Sequence, residues 1–183
     1  MKTNLKRLSL IITMTLTIFY SCDKKPEFVQ ELALPEFTLI SMPDSTIVKS
    51  SELDMKGVIM LKYFSPDCDH CQDEARAYLS KVEEFSNVKT LWMCGDWASL
   101  QQIENFTNTY GLYRTRPIGI GKNDKSSLIP YYKIDGVPYT AIYKDNQLIQ
   151  VYQNGIDYKE LKTINDGSFV PQPKDTLLKF IQP

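Results

Sequence analysis

Val58-Ile59-Met60-Leu61-Lys62-Tyr63-Phe64-Ser65-Pro66-Asp67-Cys68-Asp69-His70-Cys71 is the stretch on which the reading of this chain turns. Its first seven residues are nearly all apolar and rich in strand formers, the pattern of a central strand covered on both faces. From Cys71 onward, Ala75, Tyr78, Leu79, Val82 and Phe85 recur three or four apart, the period of a helix with one buried face. A strand therefore runs into a helix at a Cys-X-X-Cys. A sulfur at a helix N-terminus faces free N–H groups and the positive end of the dipole, which favour a thiolate. That makes Cys68 the attacking thiol. Cys71, one turn further in, is placed to resolve a mixed disulfide.

Downstream, residues 90–94 are a second strand candidate, and Trp97, Leu100, Ile103 and Phe106 repeat at helical spacing up to a stop at Gly111. A looser stretch, 113–135, is expected to hold a short helix near 126–132 bent by Pro130. Gly136-Val137-Pro138 opens two strands, 139–143 and 148–152, joined through Lys144-Asp145-Asn146-Gln147, and a last helix is expected over 158–165. Upstream, 37–40 and 46–48 flank Pro43-Asp44-Ser45 and read as a short hairpin. The fold class is α/β, a central mixed sheet flanked by helices with a short N-terminal β extension. Trp92 and Trp97 are core candidates. Cys94, at the end of an apolar strand, reads as a buried small hydrophobe rather than a third redox thiol.

The N-terminus carries Lys2, Lys6 and Arg7, an apolar run over 8–20, then Ser21 and Cys22. A 13-residue helix rises only about 20 Å against a hydrocarbon core of about 30 Å, so a signal peptide over 1–21 is favoured over a permanent span. A small residue before cysteine resembles a bacterial lipobox, which makes Cys22 the lipidation site, although Phe19 and Tyr20 are bulkier than usual. Residues 22–34 are polar with Pro26 and read as a tether, 35–166 as the folded domain, and 167–183 as a tail that either packs back as a strap or stays free. Loss of the three N-terminal cations leaves 18 basic residues against 22 acidic, a net charge of −4. With no basic stripe, nucleic acid is an improbable partner, and the lone His70 excludes histidine-rich metal sites. Zinc at a Cys-X-X-Cys needs a second ligand pair that the chain lacks, so no metal is expected.

The segment 64–71 after a buried strand resembles the active site of the thioredoxin superfamily. Together with Pro35-Glu36-Phe37-Thr38-Leu39 and the lipoprotein signal, it resembles the TlpA/ResA-like branch of membrane-tethered redoxins. The resemblance implies a thioredoxin fold and extracytoplasmic thiol-disulfide exchange through Cys68 and Cys71, with no cofactor beyond the redox-active disulfide. The implied partners are protein thiols or disulfides and a membrane or periplasmic thiol donor or acceptor. A monomer held to the cell envelope by its lipid, with the domain facing the periplasm or exterior, is expected. Pro138 occupies the family's cis-proline place, and the backbone of Val137 would pair with substrate peptide.

Departures from the family pattern matter. Asp67 and Asp69 disfavour a further negative charge at Cys68, whereas a protonated His70 favours it. Lys62, six residues before Cys68, stands where thioredoxins carry a buried acid. A lysine there is expected to pack its stem in the strand and bring its amine to solvent; otherwise it favours the thiolate. Glu74 is a second candidate proton carrier, set against a solvated helix face. Two other functions compete: a peroxiredoxin-like peroxidase, disfavoured because Ser65 and Pro66 do not fit the Pro-x-x-x-Thr-x-x-Cys pattern, and a non-catalytic binding lipoprotein, disfavoured by the intact cysteine pair.

Overall fold

The computed structural model describes residues 30–115 and 117–181; the expected signal peptide 1–21 and Cys22 lie outside the described residues. The N-terminal hairpin joins β1 (Thr38–Ser41) and β2 (Thr46–Lys49). Its turn contains a cis Met42–Pro43 peptide and Ser45 at φ 60°. β3 (Val58–Phe64) is buried at every position, as its unbroken apolar run requires, and leads into α1 (Asp69–Leu79). β4 (Lys89–Cys94) and α2 (Leu100–Tyr110) follow. α2 begins in a capping box between Ser99 and Gln102 and stops at Gly111, whose φ of 61° a side chain would disfavour. Then come β5 (Gly119–Asn123), α3 (Leu128–Tyr131), β6 (Tyr139–Lys144), β7 (Gln147–Tyr152), α4 (Tyr158–Asp166) and α5 (Lys174–Leu177). The seven strands form one sheet in the order β2-β1-β5-β4-β3-β6-β7. β3, β4 and β5 are parallel neighbours, and the remaining pairs are antiparallel.

The period of two along β3 divides the core. Met60 and Phe64 face the side covered by α1, α2 and α4, whereas Ile59, Leu61 and Tyr63 face the side covered by α3, Leu32 and the C-terminal segment. Full burial of each such side chain contributes roughly 1.5–3 kcal/mol. Lys62 is the one member of the first row that is not apolar, and it points toward α1.

Several expectations are corrected. Val82 and Phe85 are buried but lie beyond α1, in a series of i to i+3 turns that returns an apolar residue to the core every third position. Trp97 is not in the core: α2 starts at Leu100, and Trp97 lies in the loop before it, 48% exposed, while Trp92 is 1% exposed. The loose stretch 113–135 contains β5, whose Gly-Ile-Gly-Lys-Asn composition carries little strand signal. Gly121 needs to be glycine because its Cα lies against the Ile40 carbonyl of β1, leaving no room for a Cβ. In the segment expected as a tether, Leu32 and Ala33 are buried; in the tail, α5 sets Leu177 and Ile181 into the core beside them.

Candidate active site

Cys68 is the N-cap of α1, with extended φ/ψ of −93° and 114°. Its sulfur accepts a hydrogen bond from the Cys71 backbone N–H at 3.2 Å, and its thiol donates to the Val137 carbonyl at 3.5 Å. A cap is ordinarily a hydroxyl or carboxylate; a sulfur there meets the same unpaired N–H groups and the same dipole. Cys68 is partly exposed and Cys71 is buried, and both are free thiols. Burial pushes the Cys71 thiol well above its ordinary value, the Cys68 sulfur adds to this, and Lys62 opposes it. Gln72 braces the arrangement: its amide donates to the Pro66 carbonyl at 3.2 Å and accepts from the Tyr110 hydroxyl at 2.8 Å, tying the loop before Cys68 to α1 and α2. Sequence reading missed this brace.

Lys62 does not reach solvent. Its amine is 2% exposed, forms an ion pair with Glu74, donates to Thr140 Oγ1 at 3.3 Å and lies 5.1 Å from the centre of the Trp92 ring. Register explains the placement, because Lys62 pairs with Trp92 on β4 and with Thr140 on β6, so all three side chains share the α1 face. Glu74, 6% exposed, likewise is not on a solvated face. Burial pulls the Lys62 ammonium down to about 7, with the nearby Cys71 opposing; the Glu74 carboxylate against it acts in the same raising sense. A buried acid and a buried base therefore stand together within electrostatic range of the deeper cysteine.

The Val137–Pro138 peptide is cis, and Pro138 is buried beside the exposed turn at Gly136. Because proline has no N–H, the Val137 carbonyl is the polar group this loop turns toward Cys68. Asp67, Asp69 and His70 are exposed on the rim and first turn of α1. Cys94 is fully buried; burial pushes its thiol up to about 12, with Asp67 adding to the effect and Gly95 N–H, Lys122 and the Trp97 indole opposing. The structure thus brings Cys68, Cys71, Lys62, Glu74, Val137 and Pro138 together, with His70 at the surface and Cys94 one strand away.

No family model and no curated protein matches the chain in sequence. Solved structures do match in shape. A thiol:disulfide interchange protein of the thioredoxin family from Chlorobium tepidum superposes with a TM-score of 0.59 at 13% identity, covering 77% of this chain and 98% of that one. The thioredoxin domain of a thiol-disulfide oxidoreductase from Bacteroides vulgatus gives 0.58 at 13%, over 85% and 100%. A secreted disulfide oxidoreductase from Mycobacterium tuberculosis gives 0.55 at 16%, over 76% and 99%. The mixed sheet with helices on both faces, shared in shape with these structures, makes this a chain with the thioredoxin fold, and it carries its Cys-X-X-Cys at a strand-to-helix junction opposite a cis-proline loop.

Proposed function

We propose that the chain is a thiol-disulfide oxidoreductase of the cell envelope, anchored through a lipid on Cys22 and exchanging disulfides with protein substrates outside the cytoplasm. The observation that carries the reading is the Cys68 sulfur: partly exposed, capped by the Cys71 N–H at 3.2 Å, and facing the Val137 carbonyl at 3.5 Å. The Cys68 thiolate attacks one sulfur of a substrate disulfide; a Cys68–substrate bond forms as the substrate S–S bond breaks, and the released thiolate takes a proton from water. Cys71 then gives up its proton, attacks the Cys68 sulfur and expels the second substrate thiolate, leaving a Cys68–Cys71 disulfide and a reduced substrate. Started from the oxidised pair, the same steps run in reverse.

The second step is the harder one, since burial holds the proton on Cys71. Lys62 and Glu74, buried together beside it, are the groups we assign to hold that proton. Val137 pairs through its backbone with the substrate, Pro138 keeps that edge free of a competing N–H, and His70 tunes the poise of the couple from the first turn of α1. The chemistry needs the two sulfurs and no further group, and a monomer suffices for it. The test is turbidimetric insulin reduction with a thiol donor, together with the potential of the Cys68/Cys71 couple from equilibration with glutathione. Rapid, Cys68-dependent reduction is expected; an inert protein with an intact dithiol would overturn the reading.

A further inference from the structure

Trp97 is a large aromatic side chain left 48% exposed in the loop between β4 and α2. One face of its ring lies flat on Gly95, so close that a Cβ at that position would collide with the ring carbons Cζ3, Cε3 and Cη2. Its edge packs on the Tyr63 ring, centroids 5.7 Å apart at 61°. The loop that carries it is held on both sides. Asp96 donates its backbone N–H to Ser126 Oγ at 2.8 Å and pairs with Lys122 at 3.4 Å, and Ala98 is buried. An aromatic fixed in one orientation with an open face gains contact area without losing side-chain freedom on binding, which is the character of an interface anchor.

Its position relates it to the reactive sulfur. Phe64 at the end of β3 pairs with Cys94 at the end of β4, so the loops to Cys68 and to Trp97 leave the sheet side by side at the same end of these parallel strands. Tyr63, on which Trp97 rests, is opposite Tyr139, the residue after cis-Pro138. The buried Cys94 senses both Asp67, next to Cys68, and the Trp97 indole. Adjacent strands lie about 4.8 Å apart and an extended peptide advances about 3.3 Å per residue, so one or two residues span the two strand ends and the loops that leave them lengthen that span only modestly.

We propose that Trp97 is a docking residue for the polypeptide substrate, receiving an apolar or aromatic side chain two or three positions from the cysteine that engages Cys68. The inference rests on the exchange activity proposed above and deepens it, because it gives the site a preference for cysteines with apolar neighbours. Such a preference suits an enzyme that meets unfolded chains, whose core cysteines are exposed together with the residues that will later bury them.

The test uses the reduced protein and single-cysteine peptides, each carried as a mixed disulfide with 2-mercaptoethanol and with Leu, Phe or Ser two and three positions from the cysteine. Exchange is followed by acid quench and chromatography, with bis(2-hydroxyethyl) disulfide as the reference. The wild-type protein is expected to react with the Leu and Phe peptides at least about tenfold faster than with the Ser peptide. Trp97→Ala should reduce that preference to within about twofold, lowering the rate on the apolar peptides far more than on the reference, while Trp97→Phe should retain most of it. In a Cys71→Ser background, trapping the Leu peptide should shift indole emission to the blue, and trapping the Ser peptide should not. A wild-type protein indifferent to the flanking residues, or a Trp97→Ala variant that keeps the preference or slows all disulfides alike, overturns the docking role while leaving exchange intact. A wild-type protein inert toward every disulfide, the reference included, removes the exchange reading and the docking role with it.

Discussion

Lys62 and Glu74 bury their charges against each other one helical turn beyond Cys71, the lysine from the central strand and the glutamate from α1. Neither could remain charged in that place alone. Moving an ion out of water costs several kcal/mol even after relaxation, and removing one member of a buried pair leaves the other uncompensated.

Glu74→Gln should therefore cost about 3–5 kcal/mol of stability under mildly acidic conditions. The loss should also depend on pH in a definite sense. Burial draws Lys62 to about 7 in the wild type, below its unfolded value of about 10.4, and removing the facing carboxylate draws it lower still, so between the variant's value and about 7 the folded variant has shed a proton that its unfolded chain and the folded wild type both keep. Stability then rises with pH across that window. Urea unfolding in reductant at pH 6 and pH 9 should show the difference between variant and wild type shrinking at the higher pH.

A double variant, Lys62→Met with Glu74→Leu, separates structure from chemistry. Replacing a buried ion pair by apolar side chains of similar size is often neutral or stabilising by about 1–4 kcal/mol, so the variant should fold at least as well as wild type within about 1 kcal/mol. Cys71 would nevertheless have lost its buried proton acceptor. The expected signature is a longer-lived mixed disulfide at neutral pH, with a decay that accelerates more steeply with pH than in wild type, read by quenched-flow trapping.

Cys71→Ser should accumulate mixed disulfides through Cys68, because attack remains while resolution is lost, whereas Cys68→Ser should trap nothing. Non-reducing electrophoresis with an unfolded, disulfide-bonded substrate decides between the roles. Equal trapping by the two variants would mean that burial of Cys71 does not separate them.

His70 is exposed between the two sulfurs on the first turn of α1. Its cationic form would stabilise the reduced, thiolate-bearing state and make the disulfide more oxidising. His70→Ala should shift the couple toward reducing potentials, and about 30 mV corresponds to about 1.4 kcal/mol for this two-electron exchange. Equilibration with glutathione measures it; an unchanged potential would leave His70 as a solvated side chain.

Six of the seven strands, α1 and the cysteine pair were legible in the sequence because they obey local rules: an unbroken apolar run for a strand covered on both faces, a 3.6 period for α1, a cysteine spacing that spans one turn. What escaped was set by contacts between distant segments. β5 carries two glycines chosen by the approach of β1, not by strand propensity. Whether Lys62 reached solvent or Glu74 depended on which residue of α1 lay above it, and Trp97 looked like the first residue of an apolar stripe although α2 begins three residues later. In each case the periodicity was real and the partner lay elsewhere in the chain.

Two glycines test how closely the fold is fitted, and they should behave differently. A Cβ on Gly121 meets the Ile40 carbonyl, a backbone group fixed in the β1–β5 ladder, so nothing can move without breaking that pairing. Gly121→Ala should lose at least about 1–3 kcal/mol and raise amide exchange first in β1 and β2, which join the sheet only through β5. The three atoms nearest a Cβ on Gly95 all belong to the ring of Trp97, which is half exposed and can swing into solvent. Gly95→Ala should fold with a loss below about 1 kcal/mol, as for a change the surface can absorb, yet release the ring from its seat on Tyr63. Circular dichroism and urea unfolding should find it close to wild type, while indole emission shifts to the red and the preference for apolar-flanked peptides falls. A Gly95→Ala protein that keeps both the emission and the preference would show that the ring does not depend on that seat.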